Sequence, residues 1–176
     1  ACSRTGNTAC AACCGIRPEI KWTNDIILGG KKLGGILTEL SLVSETNTLD
    51  YMVTGIGINV NQAAEDFSED VRDMAVSLSQ ALGHPVRRAE LAAQVILALD
   101  RMYAGYPEDK AEYLEKYRAG CITTGHQVQL ITPTARRQAF ALEIDDNFNL
   151  VVEHYNGKRE TIAAGEVSVR GMYGYV

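Results

Sequence analysis

The sequence predicts an α/β (α+β) fold in which a mixed sheet packs against helices, followed by a small β-barrel of SH3-like size. Two observations lead to this prediction. Strand-like alternation gives way to helical periodicity within residues 1–120, whereas residues 121–176 contain only short strand-like segments separated by turns. The 176 residues suit one domain with a small appendage, so we predict two units, 1–120 and 121–176.

The N-terminal segment up to Gly15 is rich in small residues and is predicted to be the end of a helix. It holds four of the five cysteines, namely Cys2, Cys10, Cys13 and Cys14. Cys10 and Cys13 have the spacing of a zinc half-site, but a structural zinc site needs four ligands and the nearest histidine is His84. An odd cysteine count without a signal peptide favours free thiols and a cytoplasmic location.

Four strands are predicted next. They are Glu19–Thr23, Ile26–Leu28, Leu33–Val43 and Tyr51–Val60. Gly29-Gly30 is typical of a hairpin turn between the second and third of them. Helices follow, because Val71, Met74, Leu78 and Leu82 recur at helical spacing up to Gly83, and a second apolar stripe runs from Leu91 to Tyr106.

A third helix is predicted from Pro107 to Gly120, with Leu114 and Tyr117 facing inward and Glu112 paired with Lys116. Beyond Cys121 the predicted elements are all strands, at Gln127–Thr132, Gln138–Ile144, Asn149–His154 and Glu160–Ala163. Turn signals at Asp145-Asp146-Asn147 and Asn156-Gly157 separate them.

Composition excludes several function classes. The net charge is −5 and basic residues cluster only in pairs, as at Arg87-Arg88 and Arg136-Arg137, so nucleic-acid binding through this chain is disfavoured. No apolar run reaches the roughly 18–20 residues of a membrane span, so no membrane partner is expected. The three histidines (His84, His126 and His154) are far apart without metal-ligand spacing, and we interpret them as structural or surface residues.

The strand Tyr51–Val60 carries an unusual face. Alternation puts Met52, Thr54, Ile56, Ile58 and Val60 on one side, which we expect to be core. The other side bears Gly55, Gly57 and Asn59. Glycine weakens a strand interior, so two on one face indicate close approach of a flat ligand, with a bulge or a closely packed helix as equal alternatives.

A second cluster points to an anionic ligand. Lys32 precedes Gly34-Gly35 at a strand entrance, where an ammonium group near exposed backbone N–H groups suits a phosphate or carboxylate. Asn24 and Asp25 offer the hard oxygen ligands that Mg²⁺ prefers. Taken alone, both segments are better explained as solvated turns.

Three motifs in order resemble the biotin–protein ligases. They are Lys21-Trp22-Thr23-Asn24-Asp25, Lys32-Leu33-Gly34-Gly35-Ile36-Leu37-Thr38-Glu39 and Gly55-Ile56-Gly57-Ile58-Asn59. The family's motifs are K-W-P-N-D, K-L-x-G-I-L-x-E and G-x-G-I-N. Gly165–Arg170 resembles the end of the family's small C-terminal domain, so the resemblance runs from about Ile16 to Gly171.

The resemblance implies a two-step reaction that uses biotin, ATP and Mg²⁺. Biotin and ATP give biotinyl-5′-AMP, and the biotinyl group then passes to a lysine of a biotin carboxyl carrier domain. Lys32 is the implied electrostatic stabiliser and also binds biotin, as do Gly35, Gly55 and Gly57. Asn24, Asp25 and Asn59 are the implied ATP-binding residues, with Asn24 and Asn59 near Mg²⁺. A homodimer is an open expectation, and Trp22 is expected to pack in the core.

Departures from the family pattern leave alternatives open. Thr23 replaces the usual proline, and the family's Gly-Arg-rich adenylate loop, G-R-G-R-x-G, does not occur in the sequence. The sequence also starts at Ala1 and not at Met, so we expect an N-terminally incomplete ligase. The alternatives are a lipoate or octanoyl transferase and a non-catalytic remnant that binds the carrier. Some ligases repress transcription through a helix-turn-helix, but none is recognised here.

Overall fold

The structure is a computed structural model that describes residues 2–43, 46, 48–164 and 168–171. Its helices are α1 (Cys2–Cys14), α2 (Glu69–Arg72), α3 (Leu78–Leu82), α4 (Arg88–Gly105) and α5 (Lys110–Gly120), with one 3₁₀ turn at Ala64–Asp66. Its strands are β1 (Glu19–Lys21), β2 (Asp25–Leu28), β3 (Lys31–Val43), β4 (Thr48–Ile58), β5 (Gln127–Ile131), β6 (Arg136–Ile144), β7 (Leu150–Glu153), β8 (Arg159–Ile162) and β9 (Ser168–Gly171).

The strands form two antiparallel sheets. The first has the order β1-β2-β3-β4 and the second the order β8-β7-β6-β5-β9. The predicted mixed sheet is therefore wrong for the described strands, whose ladders are all antiparallel. The reason is the short connections between successive strands, since a parallel pair would need a long crossover. The Gly29-Gly30 turn is confirmed, because both glycines have positive φ.

The second sheet does not close into the predicted SH3-like barrel within residues 121–164 and 168–171. There β8 and β9 lie at opposite edges of the sheet, and no ladder joins them. Curvature alone does not close a barrel, which requires the last strand to pair with the first. The boundary between units near residue 120 stays a prediction.

The helix predicted between Val71 and Leu82 is interrupted. Its middle is extended, because the Lys32 amide donates to the Met74 carbonyl at 2.7 Å and the Val76 amide donates to the Lys32 carbonyl at 3.0 Å. A new helix, α3, then starts with Ser77 as its cap: the Ser77 side chain accepts from the Gln80 amide, and the Gln80 side chain accepts from the Ser77 amide. Periodicity alone could not reveal this bridge to a strand forty residues earlier.

The predicted third helix is confirmed from Lys110, three residues after Pro107. Leu114 and Tyr117 face inward as predicted, since both are buried. The Glu112–Lys116 ion pair also forms. In the preceding helix, α4, the predicted stripe is buried at Leu91 but exposed at its far end, Tyr106.

Two apolar clusters hold these elements together. Helix α1 packs over the first sheet, and a Cβ at Gly6 would lie 2.7 Å from Cδ1 of Ile26, so a larger residue there would require the end of the Ile26 side chain to move. The second cluster joins Ile20 and Trp22 to Leu114, Tyr117 and the inner face of the second sheet. Trp22 is therefore a core residue, as predicted. None of the described helices combines the length and hydrophobicity needed to cross a membrane.

The far half of the β3–β4 hairpin is exposed on both faces, which corrects one prediction. Met52, Thr54, Ile56, Ile58 and Val60 were expected to form core, but none of them is fully buried, and only Ile58 and Val60 among them pack against a core cluster. Strand β4 is an edge of the first sheet, and over the far half of the hairpin both faces reach solvent. Large apolar side chains therefore face solvent there; they are Leu37, Leu40, Leu42, Val43, Leu49, Tyr51, Met52 and Val53.

Candidate functional site

Six of the predicted site residues line one open cavity of about 480 Å³. They are Asn24, Asp25, Lys32, Gly35, Gly55 and Gly57. The register explains this grouping, because Gly35 lies opposite both Asp25 on β2 and Gly57 on β4, and Leu37 lies opposite Gly55. Side chains of opposed residues share a face of a sheet. The glycine face predicted from strand parity is thus the floor of this cavity.

Lys32 is the cation at the edge of the floor. Its ammonium nitrogen lies 2.5 Å from Oδ1 of Asp25, and its backbone is fixed by the hydrogen bonds to Met74 and Val76. A β-bulge between Ile26 and Ile27 changes the strand register beside it. The main chain therefore holds Lys32 in one place, while its ammonium group stays at the cavity surface.

Asn24 is tied to the neighbouring strand in both directions. Its side-chain amide donates to the Ile36 carbonyl, and the Ile36 amide donates back to the Asn24 carbonyl at 3.0 Å. These bonds fix the loop that ends in Asp25. The side-chain oxygen of Asn24 remains the group that could reach a ligand in the cavity.

The glycines in and beside the floor differ in whether a larger side chain would fit at their position. A Cβ at Gly55 or Gly57 would meet only a backbone oxygen at 3.9 Å, which is ordinary contact distance. A Cβ at Gly34 would lie 2.2 Å from the Gly57 carbonyl oxygen, an impossible contact. Gly34 is therefore required for strand packing, whereas Gly55 and Gly57 leave open the space above the floor.

Asn59, the seventh predicted site residue, lines a second cavity of about 640 Å³. Lys32, Gly35 and Gly57 border both cavities, so the two meet at Lys32. Asn59 donates to the Val76 carbonyl at 3.1 Å and to the Lys32 carbonyl at 3.4 Å. The rest of the wall is mostly apolar, with Phe67, Val71 and Met74. Sequence reasoning did not predict these three residues as part of a site.

Positive charge is concentrated behind the cavity. Burial lowers the pKa of Lys21; nearby Asp25 opposes this effect, whereas Lys32 and Arg170 reinforce it. Lys21 and Asp25 are opposed in the β1–β2 ladder. Arg170 of β9 therefore lies near the first sheet. An excess of cations around one carboxylate suits an anionic ligand.

The loop Lys21–Asp25 is also held from the far side, which the sequence did not reveal. The Tyr117 hydroxyl donates to the Thr23 carbonyl at 2.9 Å. The Trp22 amide donates to the Thr123 hydroxyl at 2.8 Å, and the Trp22 ring nitrogen donates to the Phe148 carbonyl at 2.9 Å. These partners lie 94 to 126 residues further along the chain, where no local pattern could identify them.

The remaining candidates lie outside the two cavities. Cys10, Cys13, Cys14 and Cys121 are free, and burial raises the pKa of Cys10 to about 12. Within the described residues, no three potential ligands among His, Cys, Asp and Glu converge to hold a metal ion. His84 and His126 are exposed, and His154 pairs with Glu160. Of the predicted motif Gly165–Arg170, residues 165–167 are outside the described residues.

Sequence comparison identifies relatives of this chain. Residues 13–59 match the model of the biotin/lipoate A/B protein ligase family. The bifunctional ligase/repressor BirA of Bacillus subtilis is 36% identical over 154 residues, which cover 85% of this chain and 46% of that protein. The biotin–[acetyl-CoA-carboxylase] ligase of Mycobacterium tuberculosis is 28% identical, covering 84% and 52%. The chain thus spans about half the length of these curated relatives.

Solved structures of biotin protein ligases share the fold of this chain. The biotin protein ligase of Aquifex aeolicus, in complex with biotin and ATP, superposes with a TM-score of 0.80 at 25% identity. The superposition covers 97% of this chain and 69% of that one. The apo structure from the same organism gives a TM-score of 0.84 at 24% identity. On the motifs, the matched family model and these relatives, residues 13–59 are identified as a segment of the biotin/lipoate A/B protein ligase family, and the chain is similar to biotin ligases over most of its length.

Proposed function

We propose that this chain carries part of the catalytic site of a biotin–protein ligase. The proposed reaction joins biotin to ATP and then transfers the biotinyl group to a lysine of a biotin carboxyl carrier domain. The observation that supports it best is the position of Lys32, whose side chain borders a glycine-floored cavity and a second, more apolar cavity. One cation between two adjoining cavities suits a reaction that joins two anionic substrates.

In the first step, a carboxylate oxygen of biotin attacks the α-phosphorus of ATP and pyrophosphate leaves. Both reactants are anions, so the step needs positive charge near the α-phosphate and close alignment. Lys32 would supply that charge as a stabiliser and not as a base. Asp25, 2.5 Å away, would orient its ammonium group. Biotin would lie over Gly35, Gly55 and Gly57.

ATP would occupy the second cavity and the junction. The apolar wall with Phe67, Val71 and Met74 suits a nucleotide base, and the carboxamide of Asn59 lies at its polar end. Asn24 and Asp25 lie at the junction toward the biotin cavity. Mg²⁺ would enter bound to the ATP phosphates. Joint binding of one ion by Asn24 and Asn59 stays a prediction, because the two residues line different cavities.

In the second step, the lysine amine of the carrier domain attacks the acyl carbon of biotinyl-5′-AMP, and AMP leaves. The carrier domain is thus the proposed protein partner. A homodimer and a cytoplasmic location remain predictions. The absence of nucleic-acid binding also stays a prediction for this chain, because one of the relatives above is named a bifunctional ligase/repressor.

The proposal is tested by biotin-dependent exchange of radiolabelled pyrophosphate into ATP. We expect exchange with biotin and little with lipoate or octanoate. A preference for lipoate or octanoate would favour the other branch of the matched family. Carrier-domain binding without ATP consumption would instead support the non-catalytic alternative. A chain that neither exchanges pyrophosphate nor binds biotin would contradict the proposal.

A further inference from the structure

The loop that carries Asn24 and Asp25 is fastened by groups that do not line either cavity. The Tyr117 hydroxyl holds the Thr23 carbonyl, the Thr123 hydroxyl holds the Trp22 amide, and the Phe148 carbonyl holds the Trp22 ring. We name these three residues, Tyr117, Thr123 and Phe148, the loop clamp. They come from α5, from the segment after it and from the β6–β7 turn.

Tyr117 and Thr123 are buried and Phe148 is partly buried, which limits the access of water to the hydrogen bonds of the clamp. Tyr117 is 2% exposed, Thr123 3% and Trp22 4%. Burial raises the pKa of Tyr117, which keeps its hydroxyl protonated as a donor at neutral pH. The Tyr117 ring packs edge-on against Phe148 with centroids 5.5 Å apart, which orients the hydroxyl toward the loop.

The β6–β7 turn is itself rigid. The Asp145 carboxylate accepts from the amides of Asn147 and Asn149, both at 2.8 Å, and from the Asn149 side chain at 3.0 Å. These bonds hold Phe148 with φ of 63°, a conformation that a bulky residue rarely adopts. The carbonyl that meets the Trp22 ring is therefore fixed by three hydrogen bonds to one carboxylate.

The opposite side of the loop faces the cavity. Asn24 bonds Ile36 in both directions, and Asp25 contacts Lys32. Thr23, the residue held by Tyr117, directly precedes these two residues. A small rotation of the Thr23 peptide would thus move the Asp25 carboxylate away from the Lys32 ammonium group.

We propose that Tyr117 and Thr123 are positioning residues for the reaction. Their hydroxyls fix the Trp22–Thr23 backbone so that Asp25 holds Lys32 at the junction of the cavities. The catalytic consequence rests on the proposed function above, whereas the effect on the loop does not. Because Lys32 would act on charge that develops in the transition state, we expect the clamp to influence kcat more than the binding of biotin.

The test compares Tyr117→Phe with Tyr113→Phe in the full chain. Tyr117→Phe keeps the ring and removes only the hydroxyl. Tyr113 lies one turn earlier on α5, and its hydroxyl has no hydrogen bond to any residue that the structure describes, so it is a matched control. Trp22 is the single tryptophan, so its fluorescence reports on the loop alone. Thr123→Val removes the second hydroxyl. It is the variant to compare with Tyr113→Phe if Tyr117→Phe does not fold.

For Tyr117→Phe we expect acrylamide to quench Trp22 about twofold more strongly than in the unmodified chain, because the loop opens locally. We also expect kcat for adenylate formation to fall about tenfold, with KM for biotin within about twofold. Tyr113→Phe should change neither quantity. Thr123→Val should show the same pattern as Tyr117→Phe.

Two results would overturn the positioning role. One is quenching of Tyr117→Phe equal to that of Tyr113→Phe. The other is stronger quenching with kcat unchanged, which would make the clamp purely structural. An unmodified chain without adenylate formation would contradict the proposed function alone, and the quenching comparison would then decide whether the clamp holds the loop.

Discussion

The ammonium nitrogen of Lys32 lies 2.5 Å from a carboxylate oxygen of Asp25, at the junction of two cavities. The two side chains are 40% and 20% exposed, so solvent screens the pair and its contribution to stability is small. The main effect of the pair is to orient the Lys32 ammonium group, because the Asp25 carboxylate determines where that group points. A bound anion would compete with Asp25 for the same cation.

Replacing Lys32 by Ala should therefore impair chemistry more than folding. If the proposed function holds, we expect adenylate formation to fall by about 100-fold or more, since the variant would lose the preorganised cation proposed to act on the reacting phosphate. The melting temperature should change little, because the Lys32 side chain is partly exposed. Pyrophosphate exchange and thermal unfolding measure the two quantities.

Lys31→Ala is the matched control for this variant. Lys31 precedes Lys32 in the same hairpin and is exposed, and it lines neither of the two cavities. We expect its exchange rate to stay within about twofold of the unmodified chain, as is usual for a surface change. Equal rates in the Lys32 and Lys31 variants would remove Lys32 from the site.

Gly57→Val should weaken biotin binding without unfolding the chain. A Cβ at Gly57 has room, and valine suits a strand, but its methyl groups would occupy the space above the cavity floor. We expect the dissociation constant for biotin, measured by isothermal titration, to rise about tenfold or more, as for a ligand that loses roughly 1.4 kcal/mol. A folded Gly57→Val variant that binds biotin normally would contradict the glycine-floor argument.

Gly34→Ala is the contrasting variant. Its Cβ would lie 2.2 Å from the Gly57 carbonyl oxygen, so the β3–β4 pair must separate locally. We expect a loss of about 1–3 kcal/mol in the free energy of unfolding, as for overpacking in a well-packed interior. Chemical denaturation of both glycine variants therefore separates a ligand-facing glycine from a structural one.

The sequence predicted the cavity floor because strand parity is local information. Gly55 and Gly57 alternate along one strand, so parity put them on one face, whereas the grouping of this face with Lys32 came from the resemblance to the biotin–protein ligases. The loop clamp was not predictable in this way, because Tyr117 and Thr23 are 94 residues apart. The prediction of a continuous helix between Val71 and Leu82 was wrong for a similar reason, since the bridge between Lys32 and Ala75 that interrupts it is a tertiary contact.

The expected core face of β4 shows another limit of parity. Alternation correctly put Met52, Ile56 and Ile58 on one side, but it cannot tell whether another element covers that side. Met52 is 56% exposed and its cross-strand neighbour Leu40 is 62% exposed. Which face is buried depends on helices and strands elsewhere in the chain. For a strand at the edge of a sheet, alternation is therefore a poor predictor of which face is buried.

The exposed hairpin leads to a prediction about self-association. An unpaired edge strand with apolar neighbours is prone to pair with another chain, and an edge lysine discourages this. We expect the unmodified chain to associate as its concentration rises, and Met52→Lys to shift the distribution toward monomer. Sedimentation velocity measures the distribution.

Tyr103→Lys is the control for Met52→Lys. It adds the same charge at another exposed side chain, on α4 and away from the hairpin. We expect it to leave association unchanged. If both lysine variants shift the distribution equally, net charge and not the β4 edge governs association.

Acid sensitivity should arise in part from Glu160 in the second sheet. Arg137 donates to both oxygens of this carboxylate, at 2.8 and 3.0 Å, and the His154 ring lies 2.6 Å from one of them. The hydrogen bonds from Arg137 lower the pKa of Glu160 below its ordinary 4.5, against partial desolvation and with a further contribution from His154. A carboxyl with a lowered folded-state pKa stabilises the fold above its unfolded pKa, and this stabilisation is lost as pH falls toward the folded value.

Glu160→Gln should therefore destabilise the chain at neutral pH but not in acid. Because the Glu160 side chain is 32% exposed, we expect only about 0.5–1 kcal/mol at pH 7, shrinking progressively below pH 4.5. Urea denaturation at pH values on both sides of 4.5 measures this difference. Glu153→Gln removes the same charge from a looser contact with Arg159 at 3.4 Å, so its effect should be smaller throughout. A Glu160→Gln difference that is the same above and below pH 4.5 would show that loss of packing, and not the carboxylate charge, accounts for it.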